Sequence, residues 1–190
     1  LDDRSYRKLK RCARLILREF SAVPVELTPK VKVGIVGEIY VKYSPLGNSH
    51  LEDFLLSEGC EPVVPALMDF ILYCVVNNIN DAAFYNLNRK LAPVYKIVYI
   101  WLHSKQKKLI RWTESYSRFE PFHDFEHLRA CADKVIHQGV KMGEGWLIPA
   151  EMAALAETGT ENIVCAQPFG CLPNHIAGKG AVRAVKSLYE

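Results

Sequence analysis

Residues 31–41, VKVGIVGEIYV, are apolar on both faces of an extended chain and rich in β-branched side chains. That pattern predicts a central parallel strand, because a strand covered on both sides has no solvent face to make polar. Two shorter runs, EPVVPA at 61–66 and IVCA at 163–166, read as further strands. Elsewhere apolar positions recur at helical spacing. Over 5–20, basic residues alternate with Leu9, Cys12, Leu15, Ile16 and Leu17, and Pro24 and Pro29 bracket a connector. A short helix is predicted over 50–57, stopped by Gly59. Another begins over 67–76, and the polar stretch 77–81 breaks it.

The segment 82–118 is long, aromatic and helical in period, with Pro93 a kink or boundary. A helix over 125–137 turns Leu128, Cys131, Val135 and Ile136 inward, and 139–145 is a flexible link. Residues 148–156 form a helix with Pro149 suited to its first turn, and 179–189 form the last. The order is strand, helix, strand, helix, then helix, strand, helix. It predicts an α/β domain over 31–190 with a parallel sheet and a helical insertion at about 80–141. An N-terminal helix and connector over 1–30 precede it. Right-handed crossovers place sites at the carboxyl ends of the strands. The loops 40–48, 66–69 and 167–175 are therefore expected to converge on one crevice.

A net charge of +3 over 190 residues, with basic residues spread along helices, argues against a nucleic-acid partner. Lys105, Lys107, Lys108 and Arg111 cluster as a solvated helix face. The most apolar stretch, 70–76, is too short to cross a bilayer, and no signal peptide opens the chain. Six cysteines without CxxC spacing read as a reduced, cytoplasmic set. The sequence opens without Met and ends inside a helical pattern, as a piece of a larger protein would.

Chemistry concentrates in ENIVCAQPFGCLPNHIAGKG, residues 161–180. A strand delivers Cys171 into a proline-stiffened loop ahead of a helical segment bearing Asn174, His175 and Lys179. That setting suits a metal-binding thiolate, or else a half-buried structural thiol. Cys165, inside the strand, and Cys60, at a strand entry, read as structural. Gly34 and Gly37 lie within the strand, so GIVGE is no nucleotide fingerprint. Glu38, Asn48 and His50 stand near the first strand's end and serve either a ligand or the loop itself. His123 and His127 have a spacing that binds zinc, but the sequence offers no third ligand and no HExxH order. Walker, GxSxG and paired-carboxylate signatures are absent. A thiol nucleophile pairing Cys171 with His175 is a further alternative.

Three strings, VGIVGEIYVKYSPLGNSHLEDFLLSEGCEPVVP, GEGWLIPAEMAALAETGTENIVC and QPFGCLPNHIAGKG, resemble the 2-hydroxyacyl-CoA dehydratase-related family. The match is to its branch of large CoA-substrate-specific enzyme activases. The resemblance implies a Rossmann-like three-layer lobe with cluster cysteines in strand-end loops. It makes Cys171 a candidate ligand of a [4Fe–4S] cluster, and places Glu38, Tyr40, Asn48, Asn174 and His175 along an acyl-CoA crevice. It implies an iron–sulfur-dependent reductase or dehydratase system as parent, and as partners the parent's other domains and an ATP-dependent activator module. The activator's ATP-binding glycine loops and its cluster-bridging cysteine have no counterpart here. No ATP site is therefore expected in this chain, and the other cluster ligands must come from elsewhere. By itself the chain is expected to be inactive. The alternative is a non-catalytic lobe that docks the activator, with Cys171 structural.

Overall fold

Among the described residues, three parallel strands form the sheet, in the order β2-β1-β3: β1 (Lys32–Gly37), β2 (Glu61–Val63) and β3 (Asn162–Ala166). The computed structural model describes residues 3–25, 28–116, 118–120 and 122–189. Register runs from Lys32 opposite Glu61 on one side, and from Val33 opposite Asn162 to Gly37 opposite Ala166 on the other. The α/β class and the parallel sheet follow the sequence pattern.

β1 is buried on both faces, which is why it shows no polar alternation. Val33 and Ile35 pack on Leu55 of α3 (Leu51–Ser57). Val36, on the opposite face, packs on Ile148, Met152 and Leu155 of α7 (Leu147–Glu157) and Val185 of α9 (Gly180–Tyr189). Such burial stabilises by roughly 1.5–3 kcal/mol per side chain.

The strand stops at Gly37, short of the predicted 41. Gly37 has φ 134°, and a Cβ there would lie 1.8 Å from the Ala166 carbonyl oxygen. Only glycine allows this turn against β3. Glu38 then caps α2 (Ile39–Tyr43), its Oε2 accepting the Val41 N–H at 2.8 Å. The β-branched residues 39 and 41 suggested strand, but a carboxylate cap on the first helical turn decides the conformation.

The polar stretch 77–81 does not interrupt α4 (Leu67–Phe84). Asn77, Asn80 and Asp81 are buried: Asn77 Oδ1 accepts the Trp146 Nε1–H at 2.9 Å, and Asp81 pairs with Lys141. Asn77 and Asp81 each meet a distant partner, so their polarity marks that partner and not a loop. Trp146 is fully enclosed, with Tyr73 at 4.9 Å and Phe125 at 6.0 Å between ring centroids.

α5 (Ala92–Glu114) begins with Pro93 in its first turn, so 85–91 is a link and not helix. Much of the helix's apolar surface, including Val94, Ile97, Ile100 and Trp101, remains exposed. α1 (Asp3–Ser21) lies against α5, where Tyr6 meets Trp112 at 6.3 Å. The Lys105 and Lys108 ammoniums sit 5.2 and 4.5 Å from the Tyr6 ring centroid, so this part of the basic cluster is a cation–π contact. Among the described residues no helix is long and apolar enough to cross a membrane.

α6 (Phe125–Val135) is capped by Asp124, which accepts the Glu126 N–H at 2.9 Å and also contacts His103 Nε2 at 2.9 Å. Asp124→Ala is expected to lose about 1 kcal/mol of stability, read as a lower urea midpoint. Asp124→Asn should recover most of it.

Candidate functional site

Beyond β3, a turn leads to Cys171, whose N–H donates to the Pro168 carbonyl at 3.3 Å. The helical run starts at α8 (Leu172–Asn174), with Pro173 in its first turn. It passes through a π-turn (His175–Lys179) and continues as α9. The run thus takes in the helical segment expected to bear Asn174, His175 and Lys179 and joins it to the helix expected from 179, and proline at its start fixes a helical φ. Turns of π type widen a helix and recur at functional sites. Cys171 is half-buried, and its carbonyl accepts the His175 N–H at 3.0 Å. The neighbouring apolar side chains of Phe169, Leu172 and Ile176 are exposed.

Asn174 lies under this loop at 0% exposure, and neither its amide nitrogen nor its oxygen has a protein partner. Leaving such a group unpaired costs about 1–3 kcal/mol. Its neighbour is Gly143, at φ 61°, where a Cβ would come 2.9 Å from Pro173 Cβ and 3.5 Å from Asn174 Oδ1. A side chain at 143 would push this loop outward. The Tyr73 hydroxyl holds the 141–143 segment through the carbonyls of Lys141 (2.7 Å) and Gly143 (3.0 Å). Next in sequence, Glu144 Oε1 accepts the Ile39 N–H at 3.2 Å. Residues 141–144 therefore tie the end of β1 to the loop after β3.

The other predicted residues divide by task. Glu38 closes the first turn of α2, and its N–H donates to the Ala166 carbonyl at 3.0 Å. Tyr40 is exposed and packs over Gly47. Asn48 is engaged in shaping its own loop: Oδ1 accepts the Leu51 N–H at 3.1 Å and Nδ2 donates to the Lys42 carbonyl at 3.3 Å. His50, at φ 57°, contacts Asp53 at 3.1 Å on the surface. His175 is half-buried four residues after Cys171.

Titratable groups that the sequence pattern does not single out lie beneath. Lys42 Nζ donates to Glu151 Oε1 at 2.7 Å, with both side chains 2% exposed. Burial pushes the Glu151 carboxyl up, and Lys42 pulls it back. Asp69 accepts the Gln106 amide at 2.7 Å, while burial and the nearby Glu151 push its carboxyl up to about 7. The available signal was a lone charge inside an apolar run, as in LIPAEMAALA and PALMDFILY.

Asp69 and Glu151 line a cleft of about 580 Å³ at the end of β2, together with Pro65, His123, Asp124 and His127. The expected single crevice is therefore divided. Loop 66–69 feeds this cleft, whereas the end of β1 and the loop after β3 meet across residues 141–144.

A [4Fe–4S] cubane takes four thiolates. Among the described residues, Cys171 belongs to no group of three or more donors that could hold a metal ion. Cys165 packs against Gly178 and Ile148, and burial pushes its thiol up to about 11. Among the described residues, the donors do not fit a self-contained cluster. Among the described residues, the one group with metal-like spacing is His127, Cys131 and Glu157, between α6 and α7. No family model, no curated protein and no solved structure matches the chain.

Proposed function

We propose that the chain is a Rossmann-like, three-layer lobe of a 2-hydroxyacyl-CoA dehydratase-like system, presenting Cys171 as one ligand of an iron–sulfur cluster shared with other protein segments. The setting of Cys171 carries this reading. A half-buried thiol stands on a strand-end loop, flanked in the chain by Phe169, Leu172 and Ile176 with their apolar side chains exposed. Exposed apolar side chains of this kind suit contact with another protein body, and a shared ligand has to stand at such a contact. The sheet order supports the lobe type. β2 and β3 flank β1, and open α/β sheets bind ligands outside the carboxyl ends where strand order reverses.

On this reading exposed Tyr40 and half-buried His175 border an acyl-thioester site, with Glu38 and Asn174 beneath them and Asn48 shaping the adjoining loop. The partners are an ATP-dependent activator and the parent's other domains, in the cytoplasm. The full-length parent protein that contains this sequence, purified without oxygen, should be brown and contain iron and sulfide. Cys171→Ser should lower its iron content several-fold, while Cys60→Ser leaves it unchanged. Equal iron in the Cys171→Ser protein and the unmodified one would sink the ligand assignment.

The exposed apolar side chains of α5 favour a second reading, a lobe that docks the activator with Cys171 structural. Activator capture that survives Cys171→Ala but fails with Ile97→Asp would select it.

A further inference from the structure

We infer that His127, Cys131 and Glu157 form a zinc-type divalent-metal site whose fourth position opens into the cleft at the end of β2. His127 and Cys131 stand four apart on α6 and so share one face of the helix. Glu157 is the last residue of α7, which packs along α6.

The three ligand atoms already have the spacing a metal needs. His127 Nε2 is 3.2 Å from Glu157 Oε2, Cys131 Sγ is 3.6 Å from His127 Nε2, and Cys131 Sγ is 3.5 Å from Glu157 Oε2. Zn2+ bonds of about 2.3 Å to sulfur, 2.0 Å to nitrogen and 2.0 Å to oxygen at tetrahedral angles give edges of about 3.3 Å (N to O), 3.5 Å (S to N) and 3.5 Å (S to O). All three observed separations fall within about 0.1 Å of these edges.

The surroundings fix the carboxylate. Glu157 Oε1 accepts from the Tyr189 hydroxyl at 2.7 Å and from Lys134 Nζ, leaving Oε2 for the other two donors. Outer contacts of this type orient metal ligands and tune affinity. Cys131 is fully buried, Glu157 is partly buried and His127 is exposed, so the site has a closed side and an open one. His127 lines the cleft, as does His123, whose ring lies 5.6 Å from that of His127. Three protein ligands and an open position are the arrangement of zinc sites that act on a bound water or substrate. On binding, the metal replaces the Cys131 thiol proton, which is released to solvent, and the site holds thiolate, imidazole and carboxylate.

The site is independent of Cys171, and its test separates the two. Co2+ titration of the metal-free protein should saturate at one ion per chain. It should give a thiolate-to-cobalt charge-transfer band and the intense visible bands of four-coordinate cobalt, and Zn2+ should displace the ion. His127→Gln, at an exposed position, should weaken Zn2+ binding about 100-fold, and Tyr189→Phe about 10-fold. Cys131→Ser should abolish the charge-transfer band, while Cys171→Ser should leave the titration unchanged. An unaltered circular dichroism spectrum for His127→Gln assigns its loss to the ligand. Absence of the charge-transfer band in the unmodified protein, or unchanged affinity in His127→Gln, would overturn the site.

Discussion

Lys42→Ala is expected to cost the fold about 3–5 kcal/mol, because it leaves the Glu151 carboxylate buried without a counter-ion. Lys42 Nζ and Glu151 Oε1 are 2.7 Å apart, and both side chains are almost wholly enclosed. Glu151 Oε2 has no hydrogen-bond partner, and Glu144 adds a like charge nearby. Lys42 is thus the chief compensation for a charge that water cannot reach. Glu151→Ala should lose a similar amount by stranding the ammonium. Lys42→Met combined with Glu151→Leu removes both charges at similar volume and should restore stability to within about 1 kcal/mol of the original. Urea unfolding at constant m-value measures all three. In Lys42→Ala the carboxyl can escape only by protonation, so its loss should be smaller at pH 5 than at pH 8. Two single variants each within about 0.5 kcal/mol of the original would show that the pair does not hold the end of β1 to α7.

Other parts of the fold are legible in the sequence where this pair is not. β1 and the parallel sheet could be read because Val33, Ile35 and Val36 are apolar on both faces, a pattern set by covering layers. The position of Cys171 between strand and helix was equally readable, since prolines on either side limit the backbone. The end of β1 was not, because residues 39 and 41 have strand propensity and the deciding contact is a side-chain cap from Glu38.

The helix through 77–81 is hidden from the sequence for a related reason. A buried asparagine looks like a loop residue until the indole N–H of Trp146, far away in sequence, is seen to bond it. Of the His127 group, the sequence pattern singles out only His127, paired there with His123, and reads Cys131 as a core residue. The group's two α6 members stand four apart in sequence, but Glu157 arrives only through the packing of α7, and no spacing rule reaches across that gap. Lys42 and Glu151 were hidden in the same way: each is an isolated charge in an apolar run until the fold brings them together.

Asp69→Asn is expected to stabilise the protein at pH 8 by up to about 4 kcal/mol and to flatten its stability profile between pH 4 and 7. The ordinary value of this carboxyl is 3.8, and burial, with Glu151 close by, raises it to about 7 in the folded chain. Below about pH 4 the group is protonated both folded and unfolded, and it contributes no difference. As pH rises, the unfolded chain releases the proton while the folded chain keeps it, so stability falls by up to about 1.4 kcal/mol per pH unit. Above about pH 7 both states are ionised and the loss is complete. Asparagine cannot ionise, and it keeps an oxygen for the Gln106 amide that now donates to Asp69 at 2.7 Å. The difference between the two unfolding profiles isolates this group from other titrating side chains. Parallel profiles from pH 4 to 8 would show that the carboxyl is not raised. A sloping difference would place, on the wall of the cleft that His123 and His127 also line, an acid able to exchange a proton near neutrality. Charge burial at Asp69 would then be a stability cost borne at the position where cleft chemistry needs such a group.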